Sequence, residues 1–279
     1  MICALKSSVF RYVKTGLLAK SLLFSFAMGL GIIFHTCLID LYMFSFSRPR
    51  FLDNGFVILN INKLIYVVPF ASALFCMILT GSDISYRSIN NKIATGISKT
   101  KNYLAELAVS IFATVLSVLI AGLEFIIYSK TVPYKNNVIP DQMLIYAFLR
   151  VIIICVSFTT VYLLIQFFFS KKLFGLIISL LLVPALMSAS SALITSLSEP
   201  YRSYVLIDAE NETYEWHENP EYVGGIKRKV LQNVYESIPY RDDYLYEKYD
   251  HDSETTAAGA VILLSTAAGI MSVSRKEFP

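Results

Sequence analysis

The sequence predicts an all-α integral membrane protein: six transmembrane helices, with a small extracellular domain between helices five and six. Three observations predict it. Six long stretches carry almost no charge. Hydrophobic residues make up 55% of the chain and charged residues 16%, with a mean hydropathy of +0.57. The charge that is present is segregated: Glu199 to Glu254 holds 14 acidic and 6 basic residues, a balance of −8, and the remainder of the chain carries +11. A water-soluble helix would need a polar face along most of these stretches.

Each element follows from its own residues. Before the first span, Phe10, Val13 and Leu17 recur at helical spacing among Arg11, Lys14 and Lys20. This fits either a short amphipathic helix in the membrane interface or a basic flank that only fixes topology. The apolar stretch that follows is too long for the core of a secretory signal, so it reads as an uncleaved span. The spans are Leu22–Phe46, Leu64–Thr80, Leu104–Tyr128, Met143–Phe169, Leu173–Leu197 and Ala257–Val273. At about 1.5 Å per residue, each crosses most or all of a hydrocarbon core of about 30 Å. Pro184 predicts a kink in the fifth span. Small residues at Ala185, Ser188, Ala189, Ser190, Ser191 and Ala192, and at Ala257, Ala258, Gly259, Ala260, Ala267, Ala268 and Gly269, predict close helix packing, within the chain or against a second subunit.

The acidic segment holds the single tryptophan, Trp216, and nine of the 18 tyrosines. Gly224-Gly225 reads as a turn. Ile226, Val230, Val234 and Ile238 then recur every four residues, which predicts a helix of about three turns before Pro239. The expected organisation is a membrane domain over 1–198 with an N-terminal interfacial helix, an extracellular domain over 199–256, and helix six with a cytoplasmic tail over 257–279.

Lysine and arginine in short loops set orientation. With a cytoplasmic N-terminus, the inner side holds 12 positive charges: Lys6, Arg11, Lys14, Lys20, Arg87, Lys92, Lys99, Lys101, Lys171, Lys172, Arg275 and Lys276. The short outer loops then hold five: Arg48, Arg50, Lys63, Lys130 and Lys135. Both termini are therefore expected inside, in a multi-pass protein of a cytoplasmic membrane.

Four cysteines (Cys3, Cys37, Cys76, Cys155) and three histidines (His35, His217, His251) are scattered, so neither a disulfide framework nor a metal site is expected. There is no G-x-x-x-x-G-K-[ST] loop, no H-E-x-x-H and no G-x-S-x-G. No catalytic residues, cofactor or nucleic-acid partner are expected. Uphill movement of any cargo would need an ion gradient or a partner.

Charges inside spans are functional candidates because they are costly in hydrocarbon. They are His35, Asp40, Glu124 and Arg150. The last three lie at similar depths, about 6–10 Å from the expected outer ends of their spans. Arg150 is expected to pair with Glu124 or Asp40, either as a static pair or in a transport role.

The loop between spans two and three reads Gly81-Ser-Asp-Ile-Ser-Tyr-Arg-Ser-Ile-Asn-Asn-Lys92-Ile-Ala-Thr-Gly96-Ile-Ser-Lys99-Thr-Lys-Asn-Tyr103. Ile89, Ile93 and Ile97 share one helical face, with Lys92 and Lys99 off it. Such a short amphipathic helix fits the groove of a cytoplasmic partner; a basic loop that only sets topology is the alternative.

These residues resemble the permease subunits of ABC-2 type exporters, especially those of Gram-positive bacteria with a large loop before the last span. In that group the inner loop carries an acidic residue, then Ser-Asp-Gly-Thr-Ile-Arg-Asn-Lys, then Gly-x-Ser-Arg, and a Tyr-Leu opens span three. The chain matches at Asp83, Ser85, Ile89, Asn91, Lys92, Gly96, Ser98, Tyr103 and Leu104. Lys99 stands for the second arginine, and Arg87-Ser88-Ile89-Asn90 departs from Gly-Thr-Ile-Arg. Asn219-Pro220-Glu221-Tyr222-Val223-Gly224-Gly225-Ile226-Lys227-Arg228 is similar to the Asn-Pro-x-Tyr-Val-x-Gly-x-Lys-Arg of the same relatives, and Arg275-Lys276-Glu277 resembles their tails.

The resemblance implies a separate ATPase that binds the ATP, two permease subunits, identical or not, and a coupling loop using Asp83, Arg87, Ile89, Lys92, Ile93, Gly96 and Lys99. It singles out Tyr222, Gly224, Gly225, Lys227 and Arg228 in the extracellular segment, to which the single tryptophan, Trp216, is added from composition. The expected function is export of an amphipathic cargo such as a peptide, lipid or drug. The alternative is a membrane sensor or scaffold whose ectodomain binds a ligand.

Overall fold

The computed structural model describes residues 1–44, 54–85, 88–131, 141–169, 171–208, 213–238 and 251–276. Among them lie helices α1 (Ile2–Lys14), α2 (Leu17–Phe44), α3 (Asn54–Cys76), α4 (Ser82–Ser85), α5 (Ser88–Ala94), α6 (Lys99–Thr131), α7 (Asp141–Phe168), α8 (Lys172–Ser198), α9 (Gly225–Glu236) and α10 (His251–Arg275). A π turn, Met77–Gly81, joins α3 to α4. A single hairpin pairs β1 (Arg202–Asp208) with β2 (Thr213–Glu218).

All six predicted spans are helices long and apolar enough to cross a membrane: Leu17–Leu38, Asn60–Gly81, Lys99–Tyr128, Gln142–Phe168, Lys172–Ser198 and Ser253–Arg275. The chain is an all-α multi-pass membrane protein. One boundary moves a charge. Lys63, assigned above to an outer loop, lies inside α3, where its ammonium donates to Thr36 Oγ1 at 2.8 Å and Asn60 Oδ1 at 3.4 Å. Partners on α2 and on its own helix make the position tolerable. Arg48, Arg50, Arg87, Lys135 and Pro239 lie outside the described residues.

The chain divides into two compact units. One comprises Met1–Val183 with Gly259–Pro279, the other Pro184–Ala258. Within the first, α3, α6 and α7 form the core: 61, 56 and 61% of their apolar windows are buried, against 28% for α2 and 22% for α8 and α10. Lipid tails are as apolar as leucine, so helices gain little by hiding hydrophobic surface and rely on close packing and interhelical hydrogen bonds. Both are present. Ser72 of α3, Thr114 of α6 and Thr159 of α7 form a hydroxyl chain of 3.0 and 2.8 Å, and Ser265 of α10 donates to Thr160 of α7 at 2.7 Å. Gly122 of α6 leaves room for the ring of Phe148 on α7.

Helix α1 is amphipathic, with a polar face toward the protein. Its buried residues are Ala4, Ser8 and Tyr12, one small and polar face, while Phe10 and Val13 are 63 and 54% exposed. The apolar pair faces outward and the polar face packs inward on α6. Gly16, at φ +70°, turns the chain from α1 into α2; its N–H donates to Val13 O at 3.1 Å. Tyr12 then packs edge-on to Phe75 at 5.0 Å.

In the second unit, Pro184 lies inside α8, which remains one helix. The helix predicted after Gly224-Gly225 is present as α9. Ile226, Val230 and Val234 are exposed, while Tyr235 and Leu231 pack on Ile194 and Leu197 of α8. The hairpin was not foreseen. The run Tyr204-Val205-Leu206-Ile207 and the alternation through Thr213-Tyr214-Glu215-Trp216 are its signal.

Candidate functional site

The loop singled out by sequence is held by ion pairs and hydrogen bonds to its neighbours in the first unit. The π turn ends α3 by shifting its hydrogen-bond register, and α4 and α5 follow. Gly96 then ends α5 at φ +88°. Its N–H donates to Ile93 O at 2.9 Å and that of Ile97 to Lys92 O at 3.1 Å, the paired bonds of a Schellman motif. Ser98 accepts from the Lys101 N–H at 3.3 Å and opens α6.

This path folds four charges together. Arg11 of α1 pairs with Asp83 of α4 through Nη1 and with Glu106 Oε1 of α6 at 3.2 Å through Nη2. Lys92 of α5 pairs with Asp83 Oδ2 at 2.6 Å and Glu106 Oε1 at 3.1 Å. Arg11 Nη2 also donates to Leu79 O in the π turn at 2.6 Å, and Ser8 Oγ donates to Glu106 Oε1 at 3.1 Å. Two cations meet two carboxylates, so the cluster is neutral as a whole. Asp83 and Glu106 are buried, with side-chain exposures of 7 and 0%. Burial pushes the Lys92 ammonium below the ordinary lysine value, and the neighbouring Glu106 carboxylate partly offsets this. The arrangement ties α1, the π turn, α4, α5 and α6 into one body.

Of the predicted coupling residues, the structure brings Asp83 and Lys92 together. Lys92, assigned to the polar side of the loop helix, turns its ammonium inward because two buried carboxylates lie there. Ile89 is fully buried, while Ile93 is only partly covered. Lys99 reaches the carbonyl of Lys276 at 2.7 Å, and Lys276 Nζ donates to Phe167 O at 2.7 Å, so α6, α7 and the chain's basic end are joined. Among the described loop residues, Asn91, Ala94, Thr95, Gly96, Ser98 and Lys101 are exposed. Sequence reasoning missed Arg11 and Glu106. Glu106 lies just inside an apolar stretch, the same signal that singled out Glu124, and Arg11 shares a helical face with Ser8 and Tyr12.

Neither Glu124 oxygen has a hydrogen-bond partner, so the expected Arg150–Glu124 pair is not formed. Arg150 is buried on α7, and the side chain of Asp40 lies outside the described residues. His35 lines a groove with Lys63 and Tyr66, separate from the one Glu124 lines with Cys37 and Tyr128. Among the described residues no three His, Cys, Asp or Glu side chains come together as a metal site.

In the second unit the Asn219–Arg228 motif is spent on internal contacts. Asn219 Nδ2 donates to Glu199 at 2.8 Å, and its Oδ1 accepts from the Glu221 N–H at 2.9 Å. Tyr222 meets Tyr201 edge-on at 5.4 Å on one side and the Arg228 guanidinium at 5.2 Å on the other. Arg228 Nη2 donates to Leu197 O at 2.7 Å, satisfying a carbonyl of the last turn of α8. Gly225 supplies the positive φ, +63°, that starts α9, and Trp216 and Lys227 are exposed.

No protein-family model, curated protein or solved structure matches this chain.

Proposed function

We propose that this chain is the transmembrane permease subunit of an ATP-binding-cassette exporter. It would sit in a bacterial cytoplasmic membrane with both termini inside and carry an amphipathic cargo outward. One observation carries the reading. The loop between the second and third spans is cross-tied by a neutral ion cluster to both spans and to the N-terminal helix. A loop that merely joined two helices would need no such bracing. A loop that receives a push does, because a lever must be stiff to pass motion on. The sequence resemblance supports the same assignment, with the ATP held by a separate cytoplasmic ATPase and a second permease subunit, identical or not, completing the pathway.

The test is whether an ATPase with a phosphate loop is encoded beside this gene, then co-purification with it and stimulation of its ATP hydrolysis. Placing bulky acidic residues at the exposed positions Asn91, Thr95 and Lys101 should abolish both while leaving the fold intact. Association and stimulation unchanged by all three substitutions would overturn the reading. The sensor alternative draws on a separate observation: Ile226, Val230 and Val234 expose 83, 53 and 48% of their surface on α9. A neighbouring kinase or regulator in place of an ATPase would favour it.

A further inference from the structure

Glu124 stands apart from every other buried charge described. Both carboxylate oxygens are shielded from solvent, yet neither meets a donor. The residue lies in the span Lys99–Tyr128, four positions from its end, which places it about 6 Å inside. It opens onto a groove of about 600 Å³ between α2 and α6, whose walls include Phe26, Phe34, Cys37, Ile127 and Tyr128. The groove faces sideways: Phe34 and Ile127 are 65 and 62% exposed on a surface that a bilayer covers. The carboxylate is also accommodated by design of the backbone. A methyl group at Gly29 of α2 would collide with Glu124 Oε2, so only glycine leaves the pocket in which the acid now sits.

An unpaired carboxylate beside hydrocarbon is expensive: it takes up a proton when alone and is ionised where a cation arrives to meet it. Protein partners are absent: Arg150 is not bound to it, and no other described side chain donates to it. A hard divalent cation would need six or more oxygens, and one carboxylate does not provide them. An acyl chain would fill the groove and leave the charge unmet. What fits both features is a single positive charge on a bulky apolar body, with aromatic rings at Phe26, Phe34 and Tyr128 able to flank the cation.

We infer that the α2–α6 groove is a binding site for lipophilic organic cations entering from the lipid phase, with Glu124 as the counter-charge and Gly29 as the residue that makes room for it. Its use as a cargo site rests on the exporter reading; the binding itself does not, and is measured without any ATPase.

The experiment is equilibrium binding of radiolabelled tetraphenylphosphonium to the full chain in phosphatidylcholine nanodiscs, with neutral triphenylphosphine oxide as competitor. Saturable cation binding is expected, weakened about tenfold or more in Glu124→Gln, and largely kept in Glu124→Asp. Gly29→Ala, which displaces the carboxylate without removing it, should weaken binding as well. The uncharged competitor should displace little. Equal cation binding by wild type and Glu124→Gln, no saturable binding by wild type, or displacement by the neutral compound at the same concentration as by unlabelled cation would each overturn the proposal. The last result would mean an apolar groove filled by lipid. Because Glu124 has no partner to lose, its substitution leaves the fold intact, and a melting curve of each variant verifies this.

Discussion

Arg11 Nη2 lies 3.2 Å from Glu106 Oε1, joining residues 95 positions apart in the chain. The pair couples a helix outside the apolar stretches to the first turns of a span. Breaking it should be costly, because Glu106 is fully buried. Arg11→Met is expected to destabilise the protein by about 3 kcal/mol. The double variant Arg11→Met with Asp83→Asn should lose less than the two single variants together, with a coupling above about 0.5 kcal/mol. Denaturant titration in detergent measures both, and strictly additive losses would show that the cluster is not one unit.

Glu106 and Glu124 are the same residue type on the same helix, and opposite outcomes are expected for them. Glu106→Leu removes a carboxylate with two cationic partners and should lower stability by about 3 kcal/mol or more. Glu124→Leu removes one with none, and should leave the melting temperature unchanged or raise it. Equal losses at the two sites would refute the contrast.

Lys92 carries a pH signature. Burial lowers its proton affinity in the folded protein below the ordinary lysine value of 10.5. In the interval just below that value the unfolded chain therefore binds more protons than the folded one, and this group's contribution to stability rises with pH. The stability difference between wild type and Lys92→Met should grow from neutral pH to about pH 10. A difference that shrinks over this range would contradict the inward placement of the ammonium.

In the second unit, Arg228 holds α9 against the end of α8. Arg228→Ala is expected to cost about 2 kcal/mol, since it leaves a carbonyl of α8 unmet and removes a cation from the Tyr222 ring. The neighbouring Lys227→Ala should change stability by less than about 0.5 kcal/mol, because that side chain is exposed. Limited proteolysis between Glu199 and Ser237 separates the two: faster cutting is expected in the first variant alone.

Gly96 ends α5 in a left-handed conformation that other residues adopt at a cost of about 1 kcal/mol. Gly96→Ala should therefore loosen the loop while leaving the six spans intact. Hydrogen exchange across 88–102 is expected to quicken, with the amides of α7 unchanged.

The six spans were legible because hydropathy is a property of each stretch alone and needs no knowledge of neighbours. The loop between the second and third spans was legible for a similar reason, through its charge and glycine spacing. What Lys92 does was not, since helical periodicity gives a side chain's direction around its own helix and not the carboxylates brought opposite by α4 and α6. The same limit hid Arg11 and Glu106, each ordinary at the edge of its own segment and informative only as a pair. For α9, periodicity found the helix but does not say which side meets α8: Tyr235 and Leu231 do, while the isoleucine and valine stripe does not. Of the two partners expected for Arg150, Glu124 is not met, because matching depth along two helices says nothing about matching rotation, and the side chain of Asp40 lies outside the described residues.

Translation releases the guanidinium of Arg11 long before its counter-ions. Asp83 emerges 72 residues later and Glu106 95 residues later. Until Asp83 and then Glu106 have been made, the ionic contacts of α1 are incomplete, and its outward phenylalanine and valine are its hold on the lipid surface. Closure of the junction therefore waits on residues from four helices, α1, α4, α5 and α6, the last of them opening the third span.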